Sequence, residues 1–121
     1  MLISVVTSLE TGVCSNQTRR FDKEITNYAG QITLVTISAD LPFTQNRWVG
    51  DEGVENQTVL SDHREMSFGS AFGTHVKELR IDSRAVFVVD RDGVVRYAEY
   101  VPSAGNEPNY DAALEAVKQV V

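Results

Sequence analysis

The sequence predicts an α/β fold: a mixed sheet of about four strands with flanking helices. Three observations carry this reading. Leu2, Ile3, Val5 and Val6, and later Ile32–Ala39, are short β-branched runs of the kind that fill buried central strands. Between them Phe21, Ile25 and Tyr28 recur at helical spacing, and a strand–helix–strand unit implies a parallel pair with a right-handed crossover. Further on, Ala85–Asp90 and Val94–Val101 flank Arg91, Asp92 and Gly93, an antiparallel hairpin with glycine at the bulge position.

Each element follows in order. Thr7–Gly12 ends the first strand in turn formers, with Thr11 placed to cap a helix. That helix runs from Val13 to Tyr28, carries Cys14 in its first turn, and ends at Ala29 and Gly30. The second strand, Ile32–Ala39, delivers Asp40 at its carboxyl end, where α/β proteins place their sites. Phe43–Val49 reads as a short helix and Gly50–Gly53 as a polar loop. Thr58–Leu60 is a short strand, after which Ser61 and Asp62 cap a helix over His63–Phe72 anchored by Met66, Phe68 and Phe72. Gly73–Asp82 reads as loop with one apolar pin, Leu79. In the hairpin's second arm Val95, Tyr97, Glu99 and Val101 alternate with Val94, Arg96, Ala98 and Tyr100, as an edge strand does. Pro102–Pro108 is loop, and Tyr110–Val121 is an amphipathic helix with Leu114, Val117 and Val121 on one stripe. By topology this order resembles the thioredoxin-like three-layer sandwich.

Bulk properties narrow the function. A chain of 121 residues suits one domain, and its 42% hydrophobic and 23% charged content is ordinary for a globular protein. A net charge of −6 and a pI near 4.8 argue against nucleic-acid binding. No apolar run reaches membrane-spanning length, and no secretory leader opens the chain. One cysteine builds no internal disulfide, so the expected compartment is the cytoplasm, where the Asn-x-Thr triplets at Asn16 and Asn56 are chance. His63 and His75 have no further ligand at metal spacing, Asp90–Gly93 is a hairpin turn, and no glycine-rich phosphate loop follows a strand. No metal or cofactor is expected. Phe43, Trp48, Phe68 and Phe72 read as core or subunit contact.

The chemistry centres on Cys14. A thiol in the first turn of a helix faces unsatisfied N–H groups and the positive end of the helix dipole, and both favour thiolate. Thr11, three residues earlier, places a hydroxyl beside the sulfur, and the amides of Val13 and Cys14 add donors. Arg84, just before a strand expected beside the first, supplies positive charge. Taken singly each has a plainer reading: a buried small hydrophobe, a helix cap and an ion-paired surface residue.

Together the segments TSLETGVCSNQTRRF, TISADLPFTQNRWVG, LSDHREMSFG and SRAVFVVD, with VVRYAEYV and EPNYDAALEAVK, resemble the thiol peroxidase branch of the peroxiredoxins over almost the whole chain. The resemblance implies a single thioredoxin-like (redoxin) domain over residues 1–121 that reduces hydrogen peroxide or small alkyl hydroperoxides. Cys14 would be the peroxidatic cysteine, Thr11 its threonine partner and Arg84 the active-site arginine. Three departures stand out. Thr7 replaces the proline of the family's P-x-x-x-T-x-x-C motif, which shields the sulfur. Val49 stands where the branch carries a resolving cysteine in R-[FW]-C-G, so turnover would need an external thiol: a small thiol, a thioredoxin or a glutaredoxin. The family's amino-terminal hairpin and first strand–helix unit are missing, which would leave Ile32–Ala39 as an unpaired edge and implies either a partner over that edge or, the favoured reading, a truncated frame. The family also implies a homodimer. The competing expectations are a non-catalytic remnant or binding module, and a thiol redox sensor.

Overall fold

The computed structural model describes residues 1–28, 30–103 and 105–121. Strands β1 (Leu2–Val5), β2 (Leu34–Ser38), β3 (Thr58–Ser61), β6 (Ala85–Val89) and β7 (Val95–Tyr100) form one sheet in the order β3-β2-β1-β6-β7. β1 pairs parallel with β2 and antiparallel with β6, so the expected parallel pair and hairpin meet on β1. Gly93 turns the hairpin at φ +79°. This is the thioredoxin-like sandwich, with five strands rather than four.

Pleating sorts β1 between two layers. Leu2 faces Phe21, Ile25, Tyr110, Ala113 and Val117 of helices α1 (Gly12–Glu24) and α4 (Tyr110–Val120) and the short 3-10 turn Ile25–Tyr28. Ile3 and Val5 face the opposite layer, where Phe68 and Phe72 of helix α3 (Ser67–Phe72) pack on Phe87. A third cluster of Val6, Leu9, Cys14, Trp48 and Val54 closes the carboxyl end of the parallel strands beneath helix α2 (Pro42–Glu52).

Several sequence expectations change. β3 pairs parallel with β2 from Val35↔Thr58 to Ser38↔Ser61, so β2 is an interior strand and not an unpaired edge. Gly73–Asp82 is not plain loop: β4 (His75–Val76) and β5 (Ile81–Asp82) form a two-stranded antiparallel ladder, and Leu79 is 67% exposed, so it pins nothing. α2 runs through Gly50 to Glu52 before Gly53 ends it in a left-handed conformation, because Gly50 in a helix costs only about 1 kcal/mol. α3 begins at Ser67 rather than His63, since Met66 adopts φ +53°. The Asp62 cap survives at longer range, its carboxylate accepting from the Phe68 and Gly69 amides at 3.0 and 2.9 Å. On α4 the buried stripe is Tyr110, Ala113 and Val117, while Val121 lies exposed past the helix end. The expected stop at Ala29 falls outside the described residues, as does Ala104 in the loop before α4.

Candidate active site

The turn between β1 and α1 is built to deliver a thiol. Its polar residues cannot extend the apolar ladder, and Thr11 takes extended angles at the N-cap position (φ −96°, ψ 149°), so the helix starts beside Cys14. Thr11 is not a side-chain cap, however. Its hydroxyl lies between the Ser8 carbonyl, at 2.8 Å, and the Cys14 sulfur, and its single proton serves either acceptor, one at a time.

Cys14 has no solvent-exposed surface. From across the sheet Arg84, 2% exposed, aims its Nη1 at the sulfur at 3.3 Å. Burial pushes the thiol up. The Thr11 hydroxyl, the Ser8 N–H and the Arg84 guanidinium then outweigh it and hold the thiol below its ordinary value. All three sequence-predicted residues therefore meet, and Arg84 does precede the strand paired with β1.

Three contributors lay outside the sequence reading. The backbone donor placed against the sulfur is Ser8 N–H, from the turn rather than the first helical turn. Gln17, fully buried one turn after Cys14, accepts from Arg84 Nη1 at 2.9 Å and donates to Ser4 Oγ on β1 at 2.8 Å. Its only signal was a polar side chain three residues past the cysteine, on the same helical face. Asp40, noted only for its place after β2, accepts from Ser8 Oγ at 2.7 Å and Leu9 N at 2.9 Å. Val49 on α2 packs against the cluster that contains Cys14.

A thioredoxin-like sheet with a guanidinium-flanked thiol at the start of its first helix is the architecture of the thiol redox proteins. Comparison with known proteins agrees. The redoxin family model matches residues 1–114. A thiol peroxidase of Bacillus subtilis is 54% identical over 120 residues, 99% of this chain and 71% of the relative; one from Staphylococcus aureus is 50% identical over 98% and 71%. Among solved structures, a peroxiredoxin-like protein from Aquifex aeolicus superposes at TM-score 0.90 and 34% identity over 99% of this chain and 71% of its own. The thiol peroxidase of Chromobacterium violaceum shares the fold at TM-score 0.82 and 20% identity, over 98% of this chain and 70% of its own. The chain belongs to the redoxin family, in its thiol peroxidase branch. No helix among the described residues is long and apolar enough to cross a membrane.

Proposed function

We propose that this chain reduces hydrogen peroxide or small alkyl hydroperoxides through Cys14. The observation that carries the reading is the Arg84 guanidinium 3.3 Å from the Cys14 sulfur. The Cys14 thiolate attacks the terminal peroxide oxygen, the O–O bond breaks, and the leaving alkoxide or hydroxide departs with a proton as alcohol or water. Sulfur is oxidised to sulfenic acid and the peroxide is reduced. Thr11 orients thiolate and peroxide, and Arg84 meets the negative charge that develops on the oxygens.

Completion of the cycle needs an external thiol, because the chain has one cysteine and Val49 offers no second sulfur. A first thiol condenses with the sulfenic acid, releasing water and leaving a mixed disulfide; a second thiol displaces Cys14 and carries the disulfide away. A thioredoxin, a glutaredoxin or a small thiol fits that role. The reading includes a cytoplasmic location, where such thiols stay reduced. It also includes a homodimer, for which Phe43, 82% exposed beside half-exposed Leu41, offers apolar surface.

The test is intact mass before and after one equivalent of hydrogen peroxide with dimedone present. A rapid adduct, absent in Cys14→Ser, is the expected result. A folded protein that takes no adduct would instead be a non-catalytic remnant, the reading that full burial of the sulfur in an apolar cluster favours.

A further inference from the structure

Asp40 lies two residues beyond β2, yet its carboxylate faces the turn that carries the thiol chemistry. Oδ1 accepts from Ser8 Oγ at 2.7 Å, and Oδ2 accepts from Leu9 N at 2.9 Å and Ser38 Oγ at 2.8 Å. The aspartate is anchored from behind. Ser61 donates to its carbonyl, and Gln45 Nε2 bridges Ser38 Oγ at 2.9 Å to the Leu60 carbonyl at 3.0 Å. The carboxylate thus ties Ser38 of β2 to two consecutive residues of the turn, and the Asp40 carbonyl and Ser38 hydroxyl link that tie to β3 and α2.

Those two residues govern what reaches the sulfur. Ser8 presents its N–H to Cys14, and its carbonyl accepts from the Thr11 amide at 3.1 Å and hydroxyl at 2.8 Å. The Leu9 carbonyl accepts from Ser15 Oγ at 2.6 Å, one residue past the cysteine. Bonds from donors such as these to a carboxylate are short and directional.

We propose that Asp40 is a positioning residue for Cys14: by holding Ser8 and Leu9 it fixes the turn from which the Ser8 N–H and the Thr11 hydroxyl are aimed at the sulfur. The proposal rests on the peroxidase reading and deepens it. Asp40 touches no reacting atom; it acts through the turn.

The test uses the full chain with Asp40→Asn, Ser8→Ala and the double variant. Asparagine keeps the size and one acceptor oxygen but loses the charge, and its N–H group replaces either the oxygen that accepts from Ser8 Oγ or the one that accepts from Leu9 N and Ser38 Oγ. Three readouts are taken: thermal melting, the pH dependence of Cys14 alkylation by iodoacetamide, and the rate of dimedone-trapped sulfenic acid formation. Asp40→Asn is expected to move the alkylation midpoint upward and slow sulfenic acid formation at neutral pH by about tenfold. Ser8→Ala moves both in the same direction by less, and the double variant adds little beyond Asp40→Asn, as residues of one network do. Loss of a nearby negative charge alone would move the midpoint downward. A folded Asp40→Asn protein with an unchanged or lowered midpoint therefore overturns the proposal. Where Asp40→Asn does not fold, the Ser8→Ala midpoint decides on the same terms. Absence of a dimedone adduct in the parent protein removes the peroxidase reading, while the alkylation midpoints still decide on Asp40.

Discussion

At the residue scale, Gln17 is the clearest case of a side chain whose job lies in another part of the molecule. It fills a core position without an apolar group because Ser4 and Arg84 satisfy both ends of its amide. Gln17→Met keeps the volume but removes the oxygen that accepts from Arg84 Nη1 at 2.9 Å beside the sulfur. Hydrogen bonds to charged groups contribute about 1.5–3 kcal/mol, so peroxide-driven sulfenic acid formation should slow about tenfold or more, read by the same dimedone trap. Gly69 is constrained by space. A Cβ there would lie 2.1 Å from Asp82 Oδ1 and 3.1 Å from Asp62 Oδ2, and its amide already donates to Asp62. Gly69→Ala should cost about 1–3 kcal/mol of unfolding free energy in urea titrations; an unchanged midpoint would contradict this packing. Cys14, Thr11 and Arg84 were legible because a thiol, a hydroxyl three residues before it and a cation before a strand each carry a chemical signal. Gln17 was not, because its partners, Ser4 and Arg84, come from other elements.

At the element scale, the strands that run through the core were readable from β-branched runs, and the hairpin from Gly93. Partners were harder to read. Thr58–Leu60 was predicted as a strand, but only the folded chain places it alongside β2, since parallel pairing is a nonlocal match with no turn to set it. β4 and β5, two residues each, are too short for any period to show. Helix starts differ in how they are satisfied. α4 has a conventional one: Asn109 Oδ1 accepts from Ala112 N at 3.0 Å. Asn109→Ala should lower stability by about 1 kcal/mol in urea titrations and leave the Cys14 alkylation profile unmoved. α1 has no such side-chain cap, and its threonine hydroxyl is turned toward the Ser8 carbonyl and the sulfur instead. That helix start gives up its side-chain cap for the contact with Ser8.

At the scale of the whole molecule, stability should carry the mark of a buried acid pair. Burial first, and then the hydrogen bond to Asp62, push Asp82 up from 3.8 to about 7, with Thr74 Oγ1 donating to it at 2.9 Å. The folded protein therefore keeps a proton that the unfolded chain releases near its ordinary value. Between those two values the folded state binds more protons, so unfolding free energy falls as pH rises, and the loss is complete above about 7. Below the ordinary carboxyl value this contribution vanishes. Asp82→Asn mimics the protonated acid and should flatten that slope, leaving the variant more stable than its parent at alkaline pH. Urea titrations of both proteins at mildly acidic and mildly alkaline pH measure it, and parallel pH slopes would contradict the pairing.

The complete enclosure of the Cys14 sulfur also sets how oxidising equivalents pass through the molecule. A peroxide is a few atoms across and needs a far smaller opening to reach the sulfur than a protein does. A thiol carried on another protein arrives with a surface of its own and meets a sulfur enclosed with Leu9, Trp48 and Val54. In the proposed cycle the filling stroke is therefore fast and the emptying stroke slow. Steady-state flux should saturate at low peroxide and follow the concentration and size of the reductant, so the protein would behave as a valve whose throughput reports the thiol supply rather than the oxidant load.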